Sequence, residues 1–249
     1  MILNPNERLD FVNDNLSLIQ DLDGLTFGTD ALLLSGYVNK KYNNGLELGG
    51  GSGIISMLLL TRQKAGRMSC VEIQESYYEL IRRNAELNRL EDRLFPILAD
   101  ARSFRSEVEF DLIVSNPPYM KNGSGRSCEN EKKHVARHEV YGDIFDFLKC
   151  ASANLKYGGS LYLVYRPDRL CDLFVAMRNC GIEPKRSTFV HSTKDAVPSM
   201  VLVEGKKGGR SGMKLTCPLI IYNEKGSSEY SPDMNYVMNN GSFPAKFGK

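Results

Sequence analysis

The chain has 249 residues, of which 42% are hydrophobic and 25% are charged, with 22 glycines and 10 prolines. This composition is typical of a globular protein and excludes a disordered chain, a collagen and a disulfide scaffold. The formal net charge is only +2, but residues 1–120 hold 12 basic and 17 acidic side chains, whereas residues 121–249 hold 20 and 13. The halves therefore carry −5 and +7, which supports contact of the second half with a polyanion, with solvated surface lysines as the alternative.

The six cysteines are widely spaced and include no Cys-x-x-Cys pair, which argues against a zinc ribbon or a thioredoxin-type redox site. A reducing cytosol suits such thiols. The longest apolar run, residues 54–60, is interrupted by Ser56 and is far shorter than the roughly 20 residues that span a bilayer. The first ten residues lack the features of a signal peptide. We therefore expect a cytoplasmic protein without a membrane span.

Short apolar runs alternate along the chain with amphipathic segments of helical length. A strand-like stretch at residues 16–20 and a capped helix start at residues 27–30 come first. Strands are then predicted at residues 45–48, 68–73, 94–99, 110–115, 160–165, 183–190 and 199–204. Helices are predicted at residues 54–63, 76–88, 143–155 and 169–179. This alternation predicts a mostly parallel sheet with helices on both faces.

Two polar stretches interrupt the pattern, at residues 121–133 and after Glu224. We expect both to be mobile, so that residues 225–249 form a flexible tail. No internal repeat and no clear linker divides the chain, and residues 1–249 are expected to form a single domain.

The segment Leu46-Glu47-Leu48-Gly49-Gly50-Gly51-Ser52-Gly53 falls where a predicted strand ends and a helix begins. Glycine lets a backbone turn tightly there while a ligand approaches closely. The dinucleotide fingerprint G-x-G-x-x-G is not matched, because Ile54 stands where its last glycine belongs. The spacing therefore argues against a pyrophosphate and for a nucleoside ligand with a different tail. Gly50 is an additional glycine for which the spacing offers no role.

Two acids follow at the ends of the next two predicted strands. Glu72 lies 25 residues after Glu47, near the position at which nucleotide-binding α/β units place an acid against ribose hydroxyls. Asp100 ends the third strand, and its carboxylate suits an adenine amino group. The alternatives are a solvated strand-end acid for Glu72 and a helix cap for Asp100.

The fourth strand leads into Asn116-Pro117-Pro118-Tyr119, the most specific motif in the chain. Asn116 offers an amide oxygen, Pro117 a backbone carbonyl and Tyr119 a flat ring, so the loop presents two acceptors beside a stacking surface. A planar group that carries NH2 fits this set, and holding both N–H bonds directs its lone pair toward an electrophile. We predict that Asn116, Pro117 and Tyr119 are catalytic, with a plain Pro-Pro turn as the alternative.

In this order, the glycine turn, the two acids and Asn-Pro-Pro-Tyr resemble the class I S-adenosylmethionine-dependent methyltransferases that modify amino groups. Looser segments at residues 136–139, 201–209 and 218–222 resemble the bacterial family that methylates N6 of an adenosine beside the anticodon of a valine tRNA. The resemblance covers roughly residues 7–235. It implies an α/β, Rossmann-like sheet of seven mostly parallel strands, with helices on both faces and the last strand antiparallel.

The resemblance also implies contacts with S-adenosylmethionine. Residues 27–34 look like the element that the family places against the methionine end of the cofactor, so residues 1–40 would contribute to the pocket. Glu47, where the family more often has Asp, and the glycines would hold the methionine part, Glu72 the ribose and Asp100 the adenine. The expected cofactor-binding residues are Phe27, Thr29, Asp30, Glu47, Gly49, Gly51, Gly53, Glu72, Ile73, Asp100, Ala101 and Asn116.

Basic side chains are the expected contacts to a tRNA partner. The RNA-binding candidates are Lys121, Arg126, Lys132, Lys133, Arg137, Lys206 and Lys207, with Lys185, Arg186 and Arg210 as further candidates, all expected beside the target loop. His134 and His138 would share a helical face, but the further ligands of a metal site are not identifiable, so no metal is expected. The protein is expected to act as a monomer.

Four other functions are considered. A protein glutamine N5-methyltransferase would use the same loop on an amide NH2, although only about 44 residues precede the glycine turn, few for a separate substrate domain. Another nucleic-acid amino methyltransferase could act on guanine N2 or DNA adenine N6. A nicotinamide-dependent oxidoreductase is disfavoured by Ile54, and a non-catalytic RNA-binding module by the intact Asn-Pro-Pro-Tyr.

Overall fold

The computed structural model describes residues 3–22, 24, 27–117 and 144–248. Its strands are β1 (Glu7–Asn13), β2 (Leu16–Asp21), β3 (Tyr42–Leu48), β4 (Ala65–Glu72), β5 (Leu94–Leu98), β6 (Phe110–Ser115), β7 (Leu155–Tyr165), β8 (Ile182–His191), β9 (Pro198–Lys207), β10 (Lys214–Leu215) and β11 (Leu219–Ile220). Its helices are α1 (Thr29–Tyr37), α2 (Ile54–Thr61), α3 (Glu75–Leu87), α4 (Ile144–Asn154), α5 (Leu170–Asn179) and α6 (Pro232–Asn240). Single 3₁₀ turns lie at Pro167–Arg169 and Ala245–Phe247.

The large sheet has the predicted, mostly parallel arrangement. Strands β3 to β7 pair in parallel in the spatial order β7-β6-β3-β4-β5. β9 lies antiparallel between β7 and β8, so β3 to β9 form the expected seven-stranded sheet with its last strand antiparallel. β10 and β11 add short parallel pairs at the outer edge of β8. The predicted fold class is confirmed.

Apolar side chains pack against both faces of the sheet. Helices α1, α2 and α6 contribute to the cluster on one face, and α4 and α5 contribute to the cluster on the other. Helix α2 is buried from Ile54 through Leu60 because it lies between the sheet, α1 and β2, which accounts for the longest apolar run of the chain. Among the described segments, no helix combines the length and the apolar character that crossing a bilayer requires.

A buried asparagine fastens the β1–β2 hairpin to α3 and to the glycine turn. Asn84 Oδ1 accepts from the Ile19 backbone N–H at 2.7 Å, and Asn84 Nδ2 donates to the Ser52 carbonyl at 3.2 Å. Asn88 forms a similar pair of bonds with the backbone of Ser17 one turn later. The N-terminal hairpin is therefore attached next to the turn that the sequence assigns to the ligand.

The structure corrects the expectation that residues 225–249 form a flexible tail, because helix α6 occupies part of this segment. Its N-cap is Ser231, whose Oγ accepts from the Met234 backbone N–H at 3.1 Å. Met234, Val237 and Phe247 are buried in the same apolar cluster as α1. Although the segment is mostly polar, these three apolar side chains anchor it to the core.

Arg186 also holds the C-terminal segment, from inside the protein. Its side chain donates to the Phe247 carbonyl at 3.1 Å, to the Tyr37 carbonyl at 2.8 Å and to the Glu204 carboxylate at 2.9 Å. The residue is only 5% exposed, and its guanidinium carbon lies 3.9 Å from the centroid of the Tyr37 ring. The candidate role of Arg186 in RNA binding is therefore wrong: the guanidinium is fully engaged within the fold.

Candidate active site

The glycine turn and Asn116 follow neighbouring strands at one edge of the sheet. Glu47 of β3 lies opposite Val114 of β6, and Ser115 Oγ donates to the Leu48 carbonyl at 2.8 Å. The order of the parallel strands along the chain reverses between β3 and β6. In open α/β sheets a ligand binds at such a reversal, outside the carboxyl ends of the strands. Continuing this register places Asn116 beside the glycine turn, at about the 5 Å spacing of adjacent strands.

Three glycines of the turn adopt a left-handed backbone. The φ angles of Gly49, Gly51 and Gly53 are +75°, +53° and +80°, a region that other residues enter at a cost. A Cβ built on Gly51 would meet no atom within 4 Å, so the backbone there faces open space. The turn is held from behind, because the Gly49 backbone N–H donates to the Val71 carbonyl of β4 at 2.9 Å. These features suit close approach of a ligand to the backbone.

Gly50 has a packing role that the sequence did not reveal. A Cβ at this position would collide with the Sγ of Cys70 and lie 3.2 Å from Ile81 Cδ1. Both neighbours are fully buried, Cys70 in β4 and Ile81 in α3. Glycine is therefore required at position 50 for the turn to lie directly against the sheet.

Glu47 lies beneath the turn rather than at its surface. The residue is 1% exposed, and its Oε2 accepts from the Ser56 backbone N–H at 2.9 Å and from the Ser56 hydroxyl. Burial raises the pKa of the Glu47 carboxyl to about 7. Because a group so enclosed has almost no surface to offer a ligand, the structure does not support direct contact with the methionine part of a cofactor. Glu47 instead joins the turn to the first turn of α2.

Glu72 ends β4, is 6% exposed and contacts the turn at Gly51. Its Oε2 accepts from the Gly51 backbone N–H at 2.9 Å, and its Oε1 accepts from those of Ile73 and Gln74 at 2.9 Å. Burial raises the pKa of this carboxyl, against the opposing effect of the three backbone donors. Next to it the side chain of Ile73 is 38% exposed, an apolar surface suited to a base. The structure thus brings Glu72 and Ile73 to the turn.

Asp100 lies just beyond β5 and is held by Arg102. The Arg102 guanidinium donates to both carboxylate oxygens, and its backbone N–H donates to Oδ1 at 2.8 Å. The hydrogen bond from the Arg102 side chain holds the pKa of Asp100 below its usual range. Ala101 is buried beside it. The acid remains ionised at neutral pH, and an adenine amino group would share it with Arg102.

The segment before the glycine turn meets the loop after β6. Asn116 Nδ2 donates to Asp30 Oδ2 at 2.6 Å, although the two residues are 86 positions apart. The backbone N–H of Phe27 donates to Gln20 Oε1 at 2.8 Å, and Thr29 is partly buried at the start of α1. The two motifs are therefore in direct contact. Pro117 is buried, and Tyr119 lies outside the described residues.

The proposed RNA contacts divide into two groups. Lys121, Arg126, Lys132, Lys133 and Arg137 lie outside the described residues, as do His134 and His138. Lys206 is opposite Ser160, whereas the carboxyl end of β7, Tyr165, is opposite Val201. Ser115 is opposite Leu163, so Asn116 is level with Val164 of β7. Lys206 therefore lies about 13 Å along the strands from the level of Asn116, at 3.3 Å per residue.

Lys207 occupies the same distant edge and has a structural role. Its Nζ donates to the carbonyls of Ser152 and Leu155, at 2.7 and 2.6 Å, at the end of α4. The Lys207 ammonium lies at the negative end of the α4 dipole, where a positive charge is stabilising. The expectation that Lys206 and Lys207 lie beside the target loop is wrong, because β9 runs antiparallel and ends at the opposite edge. Within the described parts of the chain, no three His, Cys, Asp or Glu side chains converge as a metal site.

Sequence reasoning did not foresee two further contacts at the site. Phe147 of α4 lies 3.7 Å from the Cβ position of Gly49, so its ring adjoins the turn. Ser115 ties the ends of β3 and β6 together through its hydroxyl. The sequence does not indicate either contact, because Phe147 has the pattern of an apolar helix residue and Ser115 that of a strand residue.

The glycine turn lies at the reversal point, the acid Glu72 ends the next strand, β4, and the amide of Asn116 follows β6. This arrangement defines the site of a Rossmann-like class I methyltransferase. A family model described as the methyltransferase small domain matches residues 22–172, more than half of the chain. The chain belongs to the methyltransferase small-domain family.

Curated relatives agree with this assignment. The chain is 30% identical over 204 residues to a tRNA1(Val) (adenine(37)-N6)-methyltransferase of Phocaeicola vulgatus, covering 81% of this chain and 85% of the relative. It is 29% identical over 220 residues to a protein of the same name from Porphyromonas gingivalis, covering 83% and 84%.

Solved structures share the fold. A predicted O-methyltransferase from Agrobacterium tumefaciens superposes with a TM-score of 0.68 at 24% identity, covering 86% of this chain and 98% of that one. TYW2 of M. jannaschii, solved in complex with AdoMet, gives a TM-score of 0.55 at 14% identity, covering 83% and 89%. At these identities the likeness establishes the fold alone.

Proposed function

We propose that this protein transfers a methyl group from S-adenosylmethionine to the exocyclic N6 of an adenosine in tRNA, beside the anticodon of a valine tRNA. The observation that carries the proposal is Asn116, held by Asp30 at the carboxyl end of β6 and adjacent to the glycine turn. The names of the relatives from P. vulgatus and P. gingivalis support the tRNA substrate and the modified position.

The edge of the sheet suits the parts of S-adenosylmethionine. The open backbone at Gly51 suits the methionine part, the Glu72 carboxylate suits the ribose hydroxyls, and the exposed face of Ile73 suits the adenine ring. When bound, this cofactor supplies an electrophilic methyl group on a sulfonium. The remaining proposed contacts are Phe27, Thr29, Gly49, Gly53, Asp100 and Ala101, and Glu47 would act through the turn that it supports.

The proposed work of the protein in this reaction is mainly orientation. The Asn116 amide oxygen and the Pro117 carbonyl would each accept one N6 hydrogen of the target adenosine. Holding both reactants in line can provide effective molarities of ~10⁵ M or more. A strong base is not required, because the methylated nitrogen is cationic and loses its proton readily. Extruding the base costs a few kcal/mol, of which stacking on Tyr119 would return about 1–3 kcal/mol.

Labelled S-adenosylmethionine and total tRNA test the proposal directly. The wild-type protein should label N6 of one adenosine beside the anticodon of valine tRNA, located by nuclease digestion and mass spectrometry. Asn116→Ala should lower turnover at least about 100-fold while cofactor affinity changes little, because the loop positions the amine rather than the cofactor. Lys206→Ala, at the opposite edge, is the matched control.

The same experiment distinguishes the other functions. Label that survives ribonuclease and is lost on proteolysis would indicate a protein glutamine methyltransferase, and label on guanine N2 or on DNA would indicate another nucleic-acid enzyme. Either result would contradict the tRNA adenine assignment.

We further propose that the protein acts in the cytoplasm as a metal-free monomer, with residues 1–249 forming a single domain and residues 1–40 contributing to the cofactor pocket. The proposed phosphate contacts are Lys121, Arg126, Lys132, Lys133 and Arg137. tRNA affinity should then fall steeply with salt, because each neutralised phosphate releases counterions.

A further inference from the structure

Both oxygens of the Asp30 carboxylate accept hydrogen bonds, and one of these bonds comes from Asn116. Asp30 Oδ2 accepts from Asn116 Nδ2 at 2.6 Å, and Oδ1 accepts from the Ala31 backbone N–H at 2.9 Å. A Cβ on Gly28 would lie 2.8 Å from Asp30 Oδ1, so the glycine leaves room for the carboxylate. The carboxylate is therefore held by the first turn of α1 while it reaches the loop after β6.

This bond determines how the Asn116 amide is oriented. A carboxylate accepts hydrogen bonds and donates none, so the amide must turn its NH2 group toward Asp30. The amide is planar, and its oxygen then points away from Asp30. In the opposite orientation the NH2 group would face the substrate amine and compete for the lone pair that must attack.

We propose that Asp30 is a positioning residue for methyl transfer, which sets the orientation of the Asn116 amide and strengthens its oxygen as an acceptor. This inference rests on the proposed function. A bond to a carboxylate polarises the amide, and polarised hydrogen-bond chains strengthen one another. The Asp30 carboxylate also contacts Asn116, the residue proposed to hold the amine on which positive charge develops. Asp30 was expected to contact the cofactor, and its bond to Asn116 adds a role toward the substrate-binding loop.

A double-mutant cycle separates this role from cofactor binding. Asp30→Ala should lower the single-turnover rate about 10- to 100-fold, whereas the dissociation constant for S-adenosylmethionine should change less than about threefold. Combined with Asn116→Ser, Asp30→Ala should cause little further loss, because its effect passes through Asn116. Asp172→Asn is the matched control, since Asp172 also lies in the first turn of a helix and bonds an exposed arginine.

Exchanging the two side chains provides a second test. Asn116→Asp alone places two carboxylates in contact, so they must share a proton, and activity should be low and dependent on pH. Asp30→Asn combined with Asn116→Asp restores one donor and one acceptor, with their positions exchanged. We expect the double variant to be at least about 10-fold more active than Asn116→Asp alone. Thermal unfolding of each variant verifies that it is folded.

The outcomes separate the inference from the function beneath it. Additive losses in the cycle, no recovery in the exchange, or a large rise in the dissociation constant for the cofactor would each overturn the role of Asp30 while leaving an active tRNA methyltransferase. Wild-type protein that labels no tRNA would overturn the proposed function itself. If Asp30→Ala does not fold, the exchange decides alone.

Discussion

Replacing Glu47 with glutamine should stabilise the protein at alkaline pH far more than at acid pH. The carboxyl is 1% exposed and accepts from the backbone N–H of Ser56 at 2.9 Å. Burial raises its pKa to about 7, from an ordinary value of 4.5. Glutamine keeps an acceptor for Ser56 and carries no charge, so the variant removes the cost of burying an anion and retains the shape of the side chain.

The sign and the size of the effect follow from this pKa. The folded chain holds the Glu47 proton more tightly than the unfolded chain. The stability that this proton gives the wild-type protein is therefore fully present below about pH 4.5 and is lost as pH rises through 7. A separation of ~2.5 pKa units corresponds to about 3 kcal/mol. The free energy of unfolding of Glu47→Gln, relative to wild type, should therefore increase by about 2–3 kcal/mol between pH 5 and pH 8.

Urea titrations followed by circular dichroism at both pH values measure this difference, provided that the urea dependence of the two proteins is the same. Comparing variant with wild type at each pH cancels the other titrating groups. Glu107→Gln removes an exposed carboxyl and controls for the loss of one negative charge. A free-energy difference for Glu47→Gln that stays constant from pH 5 to pH 8 would refute the reasoning.

Two further substitutions test packing that holds the site and the C-terminal segment. Gly50→Ala should lower the free energy of unfolding by about 1–3 kcal/mol because the new methyl meets Cys70, and adding Cys70→Ala should recover most of it in thermal melts. If adding Cys70→Ala recovers no stability, the contact between the new methyl and Cys70 is contradicted. Arg186→Met should cost about 3–5 kcal/mol by removing the buried partner of the Glu204 carboxylate, and limited proteolysis should then cleave near Phe247. Unchanged stability and protease resistance would show that Arg186 is not the anchor.

The carboxyl ends of the parallel strands could be inferred to within one residue because local patterns determine them, whereas β3, β4 and β7 begin earlier than predicted. The apolar run of β6 is bounded by an acidic and a proline-rich segment, and the structure has the same bounds as the prediction, residues 110–115. The glycine turn was correctly assigned between β3 and α2 because positive φ angles at Gly49, Gly51 and Gly53 need glycine whatever surrounds them. The position of Asn116 beside this turn depends on the spatial order of the strands, which reverses between β3 and β6.

Contacts between distant segments could not be inferred from local patterns. The sequence offers no reason for Gly50 until Cys70 is placed behind it, and Arg186 reads as a surface cation until Tyr37 and Glu204 enclose it. Lys207 looked like a phosphate contact because its position depends on the direction of β9.

The amino-acid sequence by itself determined the alternation of strands and helices, the glycine turn and the chemical character of Asp30, Glu72 and Asn116, because period, glycine content and side-chain type are local properties. The tertiary structure alone decided which groups are enclosed and which meet, as with Glu47 beneath the turn and Asp30 against Asn116. The physical reason is that burial and hydrogen bonding between residues 86 positions apart depend on the whole packed fold, which no segment of the chain specifies.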